Sequence, residues 1–316
     1  MSGAKTRLWA GVDLGGTGTR VAVVNDEGEA IAGLTVPTSS FDDRAIEQLA
    51  DLVRALVPDG FGLSGLGIGA SGPVDLATGE IRNPDTLPRF SGLDVAGGLE
   101  RQLSAPAWID NDAVVAGLAE TTWGAAARAD SALVITLGTG IGAVMIRDGF
   151  PLRAADGQHP EGGHIPVAGT GNPCYCGLPQ CWEQVASRTA LDRLRQAGSR
   201  SGSELWATYA ERVASGLVTL LTLYHPACVV IGGGVAQEWI QLRDPLRDAL
   251  SQFREFEPSL PLVGSDLGER AGALGAALLP QRSIGWHCGD ADARSHPGVN
   301  GIEDARVRRV QAFEPA

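Results

Sequence analysis

Residues 8–24 read LWAGVDLGGTGTRVAVV, and their reading decides the fold. Residues 8–12 and 20–24 are short β-rich runs, and DLGGTGT between them is dense in glycine. The stretch therefore predicts two strands joined by a glycine-rich hairpin turn. The same plan returns at residues 132–137 and 142–146, joined through LGTGIG. Two such units predict an internal duplication, with two α/β domains of similar plan facing one another.

The loops carry a chemical reading as well. Gly15, Gly16 and Gly18 let backbone approach a phosphate, the Thr17 and Thr19 hydroxyls can donate to it, and Asp13 can hold Mg²⁺ through water. For one loop alone an ordinary glycine hairpin competes with this reading. The second loop, with Gly138, Thr139 and Gly140, strengthens it, because two facing loops are what a nucleoside triphosphate clamped between domains requires. Neither loop matches G-x-x-x-x-G-K-[ST], and neither enters a helix, so the P-loop and the dinucleotide fingerprint are excluded.

Between and beyond the loops the pattern is alternating α and β. A strand is expected at 30–36, a helix at 44–57 with Pro58 as its stop, and strands at 66–70 and 107–109. The last of these runs into IDNDA. A carboxylate at a strand end can take a proton from a substrate hydroxyl, with Asn111 orienting that hydroxyl. The competing reading makes Asp112 the N-cap of the helix that follows, and the two are compatible, because a helix N-terminus keeps a carboxylate ionised. Further on, a long helix is expected at 204–224, a buried strand at 228–231, and a small-residue helix at 270–279 stopped by Pro280. GGGV at 232–235 either admits a flat ring against the backbone or makes a strand-to-helix turn needing positive φ. The expected division is 1–112, 113–280 and a polar tail, 281–316, irregular or partly disordered. His159, His225, His287 and His296 show no partner pattern and read as surface or packing residues.

Residues 161–183, EGGHIPVAGTGNPCYCGLPQCWE, hold a second kind of site. His164, Cys174, Cys176 and Cys181 offer one nitrogen and three sulfurs, which suits tetrahedral zinc, and Gly177 and Pro179 suit the tight knuckle that CxCGxxxC demands. Buried thiols and redox chemistry are the alternatives, although CxC is not the usual CxxC spacing. A closed four-ligand site has no open position for a catalytic water, so zinc here is structural. Glu161, His164 and Glu183 are the polar groups that such a loop would present.

Composition bounds the partners. A chain of 316 residues, 44% hydrophobic, is comfortable for two domains. A formal net charge of −12 argues against nucleic acid or an anionic membrane as the main partner. No segment approaches the ~20 apolar residues of a membrane span. Five cysteines, mostly gathered in the metal-like cluster, fit a reducing compartment, so a cytoplasmic location is expected.

Taken together, DLGGTGTR, GIGASGPVD, IDNDA, TLGTGIG, EGGH with CYCGLPQCWE, and VVIGGGV resemble the ROK family over roughly residues 8–280. The resemblance implies two ribonuclease H-like domains with a ligand cleft between them, the actin-like ATPase fold. It also implies ATP-dependent phosphorylation of a hexose, glucose to glucose 6-phosphate in the first instance. Asp112 would be the general base, and Asn111, Glu161, His164 and Glu183 would hold sugar hydroxyls, His164 also ligating Zn²⁺ with the three cysteines. Asp13 would lie near Mg²⁺, the two loops would cradle the phosphates of ATP, and Gly233 would edge the adenosine site. A homodimer or homotetramer is implied. The alternatives are an N-acetylated amino sugar kinase, for N-acetylglucosamine or N-acetylmannosamine, and a non-catalytic sugar sensor. The repressor branch carries a DNA-binding helix-turn-helix before the first motif, and the twelve residues ahead of Asp13 leave no room for one. This chain departs from the family pattern at Gly18, where a lysine often stands, at Ala70–Pro73 in place of V-P-G-P, and at Gln180 in place of Gly. Thr86, Leu87, Pro88 and Arg89 match the usual sugar loop only loosely.

Overall fold

The computed structural model describes residues 7–76, 78–168, 172–198, 202–254, 256–284 and 286–287. The opening hairpin forms as expected. Strand β1 (Leu8–Leu14) pairs antiparallel with β2 (Gly18–Val24), with Leu14 opposite Thr19, so the glycines make a tight turn at the strand ends. β3 (Ala30–Pro37) extends the ribbon, α1 (Ala45–Leu56) follows, and β4 (Leu63–Ala70) runs parallel to β1. A small hairpin of β5 (Val74–Asp75) and β6 (Glu80–Ile81) leads to α2 (Val95–Leu103), then β7 (Ala107–Asn111), parallel to β4.

Helix α3 (Asp112–Thr122) opens the second round. β8 (Ser131–Leu137) and β9 (Ile141–Arg147) repeat the glycine hairpin, and β10 (Phe150–Pro151) extends it. After α4 (Trp182–Ala186), α5 (Arg188–Gln196) and α6 (Gly202–Tyr224) comes β11 (Cys228–Gly232), parallel to β8. α7 (Trp239–Leu250) and β12 (Leu262–Gly264), parallel to β11, complete that sheet. α8 (Ala271–Ala276), α9 (Leu278–Arg282) and β13 (Trp286–His287), antiparallel to β7, close the described chain.

The two sheets share one plan. The first runs β13-β7-β4-β1-β2-β3 and the second β10-β9-β8-β11-β12. In each, the strand before the glycine loop pairs antiparallel with the strand after it and, on its other side, parallel with a later strand. The duplication read from two short loops thus extends to the topology.

Alternation along the strands builds the layers. Leu8, Ala10, Val12 and Leu14 face a core shared with α1 and α2. Leu133, Ile135 and Leu137 face the core under α6 and α7. Each such Leu, Ile or Val side chain withdrawn from water contributes ~1.5–3 kcal/mol. Between the sheets lie α3, α8 and α9, where Val114, Val115 and Leu118 meet Val134, Val144 and Leu279. α8, entirely Ala, Gly and Leu, sits so close to its neighbours that a Cβ on Gly11, Gly67 or Gly275 would overlap the carbonyls of Ala273, Ala276 and Val115 respectively.

Two expectations change. The helix expected at 270–279 is a 3₁₀ turn, Gly268–Arg270, followed by α8 and α9, and Pro280 does not stop it. Pro280 is the third residue of α9, in the first turn, where its missing N–H has no intrahelical partner to lose. Gln281 and Arg282 finish α9 and 286–287 form an edge strand, so these residues are regular; residues 285 and 288–316, with Cys288 and His296, lie outside the described residues. α8, beyond residue 112, packs on β1 and β4 of the first sheet. Among the described residues, no helix is long and apolar enough to cross a membrane.

Candidate active site

A cleft of about 1390 Å³ opens between the sheets, where the carboxyl ends of β1, β4, β7, β8 and β11 converge. It is lined by Asp13, Gly15, Gly16, Thr17, Asn111, Asp112, Gly138, Thr139, Gly140, Glu161, His164, Cys176, Glu183 and Gly233. Cys174 and Cys181 are buried behind it. Thr19 is the exception among the expected phosphate contacts. It is fully buried and its hydroxyl pairs with that of Thr38 at 3.0 Å, because alternation along β2 sends Gly18 and Arg20 to the cleft and Thr19 to the core.

Asp112 lies where β7 becomes α3. The N-cap is Asn111 rather than Asp112, since the Asn111 Oδ1 accepts from the Ala113 amide at 2.8 Å while Asp112 is already the first helical residue. The Asp112 Oδ1 accepts from the same amide at 2.8 Å, and its Oδ2 accepts from the Ser71 hydroxyl at 2.7 Å. Asn83 keeps Ser71 in place by donating to the carbonyls of Ser71 at 3.2 Å and Gly72 at 2.7 Å. Behind Asp112, the buried Asp110 pairs with the Arg153 guanidinium. His159, read from sequence as surface or packing, is buried and lines the cleft; burial pushes its pKa down against the pull of Asp110 and Asp112, leaving a neutral imidazole at neutral pH.

At the knuckle, the His164 Nδ1 faces the sulfurs, 3.3 Å from the Cys181 Sγ and 3.6 Å from the Cys174 Sγ. The ligand atoms of His164, Cys174, Cys176 and Cys181 all lie within 4.8 Å of one another. A tetrahedral zinc with bonds of ~2.3 Å to sulfur separates its ligand atoms by roughly 3.8 Å, so the donor set fits that ion. Burial raises the Cys174 thiol and pushes that of Cys181 up to about 12, so a cation is what would hold these sulfurs as thiolates. The His164 Nε2 points the other way, 2.9 Å from the Tyr175 hydroxyl and 3.9 Å from the Glu183 Oε2. Glu183 accepts from the Ile141 amide at 3.1 Å, tying the knuckle to the second glycine loop. Burial, then the charges of Asp112 and Glu183, raise Glu161 to about 7.

At the other end, burial and the Asp112 charge raise Asp13 to about 7, with Arg20, 3.7 Å away, opposing. Gly233 has φ of 74°, and a Cβ there would come within 2.7 Å of Leu137 backbone, so the turn needs glycine for itself and also lines the cleft. Sequence reasoning missed Arg20, Ser71, Glu120 and His159. Glu120 is buried on α3 and accepts from the Ser265 hydroxyl, the Ala125 amide at 3.0 Å and the Leu267 amide at 3.4 Å. Alternation in β2 was a signal available for Arg20. For the other three no local signal existed.

Two duplicated mixed sheets with glycine hairpins facing across a cleft define the actin-like ATPase fold. Residues 9–283 match the sequence model of the ROK family, and the chain belongs to that family. It is 29% identical to the glucokinase of Thermotoga maritima, covering 87% of this chain and 98% of that one. Among solved structures it is similar to a ROK family glucokinase from Streptomyces griseus in complex with glucose and AMPPNP, with TM-score 0.77 and 28% identity over 87% of this chain and 99% of the other. It is likewise similar to a ROK hexokinase from Thermus thermophilus, with TM-score 0.72 and 33% identity over 86% and 97%.

Proposed function

We propose that this protein transfers the γ-phosphoryl group of ATP to a hexose, with glucose as the leading acceptor and its 6-hydroxyl as the leading site. The observation that carries the reading is the place of Asp112, which lines the same cleft as both glycine loops. In this reading Asp112 takes the proton of the attacking hydroxyl as the new bond forms, and the Ser71 hydroxyl and the α3 N-terminus fix its orientation. Asn111, Glu161, His164 and Glu183 hold the remaining sugar hydroxyls. The two glycine loops cradle the phosphates with the amides their turns leave unused, those of Gly15 and Gly138 being taken by the Gly18 and Gly140 carbonyls, and Gly233 borders the adenosine.

Asp13 is the residue that would hold Mg²⁺ through water; when bound, that ion neutralises charge on the phosphoryl oxygens. Zn²⁺ on His164, Cys174, Cys176 and Cys181 would set the shape of the sugar loop. A homodimer or homotetramer and a cytoplasmic setting complete the reading, supported by family membership and by the gathered thiols.

A coupled ADP-release assay over glucose, mannose, fructose, N-acetylglucosamine and N-acetylmannosamine tests it. The expected result is turnover fastest with glucose. Sugar binding by calorimetry with no ADP formed for any sugar would make the protein a sensor, and turnover confined to the N-acetylated sugars would move the acceptor.

A further inference from the structure

The first glycine loop brings amides and a hydroxyl to its end of the cleft but no cation of its own. Arg20 stands beside it. Its side chain faces the cleft with that of Asp13, and its Nη1 lies 3.9 Å from where a Cβ on Gly18 would be. The guanidinium is 3.7 Å from the Asp13 carboxylate and donates to the Glu269 Oε2 at 3.0 Å. Glu269 in turn accepts from Gln237 at 3.0 Å, so the chain of contacts runs from β2 across to the turn after Gly233. The Arg20 Nε is buried and has no hydrogen-bond acceptor among the described residues. Two other arginines of the cleft are already engaged, Arg82 with Asp75 at 2.5 Å and Arg188 with Asp192 and the Gly234 carbonyl, each at 3.1 Å, while Arg193 lines the cleft on the α5 side, away from the first loop.

A buried guanidinium donor without an acceptor is costly, and natural sites rarely leave one. Beside a glycine turn that lines the cleft, the acceptor that fits a planar, forked cation is a phosphoryl oxygen. We propose that Arg20 is a ligand of the nucleotide phosphates, its Nε–H and an Nη–H donating to phosphoryl oxygens of a triphosphate seated on the loop at 15–18, with Glu269 as the positioning residue that holds the guanidinium there. The assignment rests on the reading of the cleft as an ATP site.

The test pairs calorimetry, using Mg²⁺ and a non-hydrolysable ATP analogue, with steady-state kinetics. Arg20→Gln is expected to raise the analogue Kd and the ATP KM by roughly 10- to 100-fold while leaving the glucose KM unchanged. Arg20→Lys recovers only part of the loss, because an ammonium cannot make the forked contact. Glu269→Gln gives a smaller rise in the same direction. Around Gly18 the nearest atoms to a built Cβ are 3.8 Å away, so Gly18→Lys is sterically allowed, and added to Arg20→Gln it should restore much of the analogue affinity. An unchanged analogue Kd in Arg20→Gln overturns the assignment. So does an equal rise in the ATP and glucose KM values with a lowered Tm, which marks a structural role. If the wild-type protein turns over no hexose, the kinase reading fails, while the analogue Kd still decides the role of Arg20.

Discussion

The loops at 15–18 and 138–140 are near copies in sequence, yet the molecule holds them by different means. The first is braced from behind by the Thr38 hydroxyl, which donates to the Gly15 carbonyl at 2.5 Å, and is flanked by the charges of Asp13, Arg20 and Glu269. The second is bolted to the metal-type knuckle and its helices. Ile141 donates to Glu183, Arg188 donates from its amide to the Gly138 carbonyl at 2.8 Å, and the Thr189 hydroxyl donates to the Thr139 carbonyl at 3.0 Å. One loop is tuned by charge and the other by contact with the residues proposed to hold sugar. A change at Glu183 or its support is therefore felt at both substrates, and a change at Arg20 at one.

Asp112, between the loops, sets the scale. Asp112→Asn is expected to lower kcat roughly 10²- to 10⁴-fold with glucose and ATP-analogue affinities close to wild type. Near wild-type turnover would remove its role as base. The next largest effect distinguishes the loops directly. A Cβ on Gly140 would overlap the Glu183 Oε2, whereas one on Gly18 meets only ordinary contacts. Gly140→Ala is expected to raise both KM values by about tenfold or more, from the ~1–3 kcal/mol of overpacking, and Gly18→Ala to leave both unchanged. Equal effects of the two substitutions on ATP KM would erase the contrast.

Metal removal is the milder probe. Elemental analysis is expected to find about one zinc per chain, and chelation or Cys181→Ser to raise the glucose KM by roughly tenfold with a smaller rise in ATP-analogue Kd, since among the described residues the first loop has no hydrogen bond to the knuckle. Zinc-free protein with full glucose affinity would break that link.

The smallest effect is on stability. Asp13 keeps its proton up to about pH 7 in the native state but releases it near 3.8 when unfolded. The native state then binds more protons across that window, so the ligand-free protein loses stability as pH rises from about 4 to about 7, and the slope ends there. Glu161, raised to about 7, acts in the same sense from its ordinary 4.5. Asp13→Asn or Glu161→Gln should each flatten the fall of Tm across this window by a few degrees, read by calorimetric scans. An unaltered slope in both variants would show that neither carboxyl carries the shift.

Much of the site was legible because its signals are short. The glycine turns sit at the ends of alternating strands, IDNDA sits at a strand-to-helix junction, and the Cys and His spacing of the knuckle brings four ligand atoms together. Two readings failed for reasons that local patterns also contain. Thr19 looked like a phosphate donor because it belongs to the glycine run, but it is already in β2 and alternation turns it inward. Pro280 looked like a helix stop, but the backbone restarts at Leu278 and tolerates proline in a first turn.

By itself, then, the sequence determined the paired hairpins, the strand-to-helix junction at Asn111 and Asp112, and the metal-type knuckle, since each depends on backbone preferences and residue types within a few positions. Only the tertiary structure decided that Ser71 reaches Asp112 across 41 positions, that Glu120 reaches Ser265 across 145, and that Arg20 meets Glu269 across 249. Those contacts exist because α3 and the Gly- and Ala-rich α8 pack between the two sheets at a distance that only small side chains allow. That stacking of layers, which no local pattern encodes, brings the side chains of the two halves into one cleft.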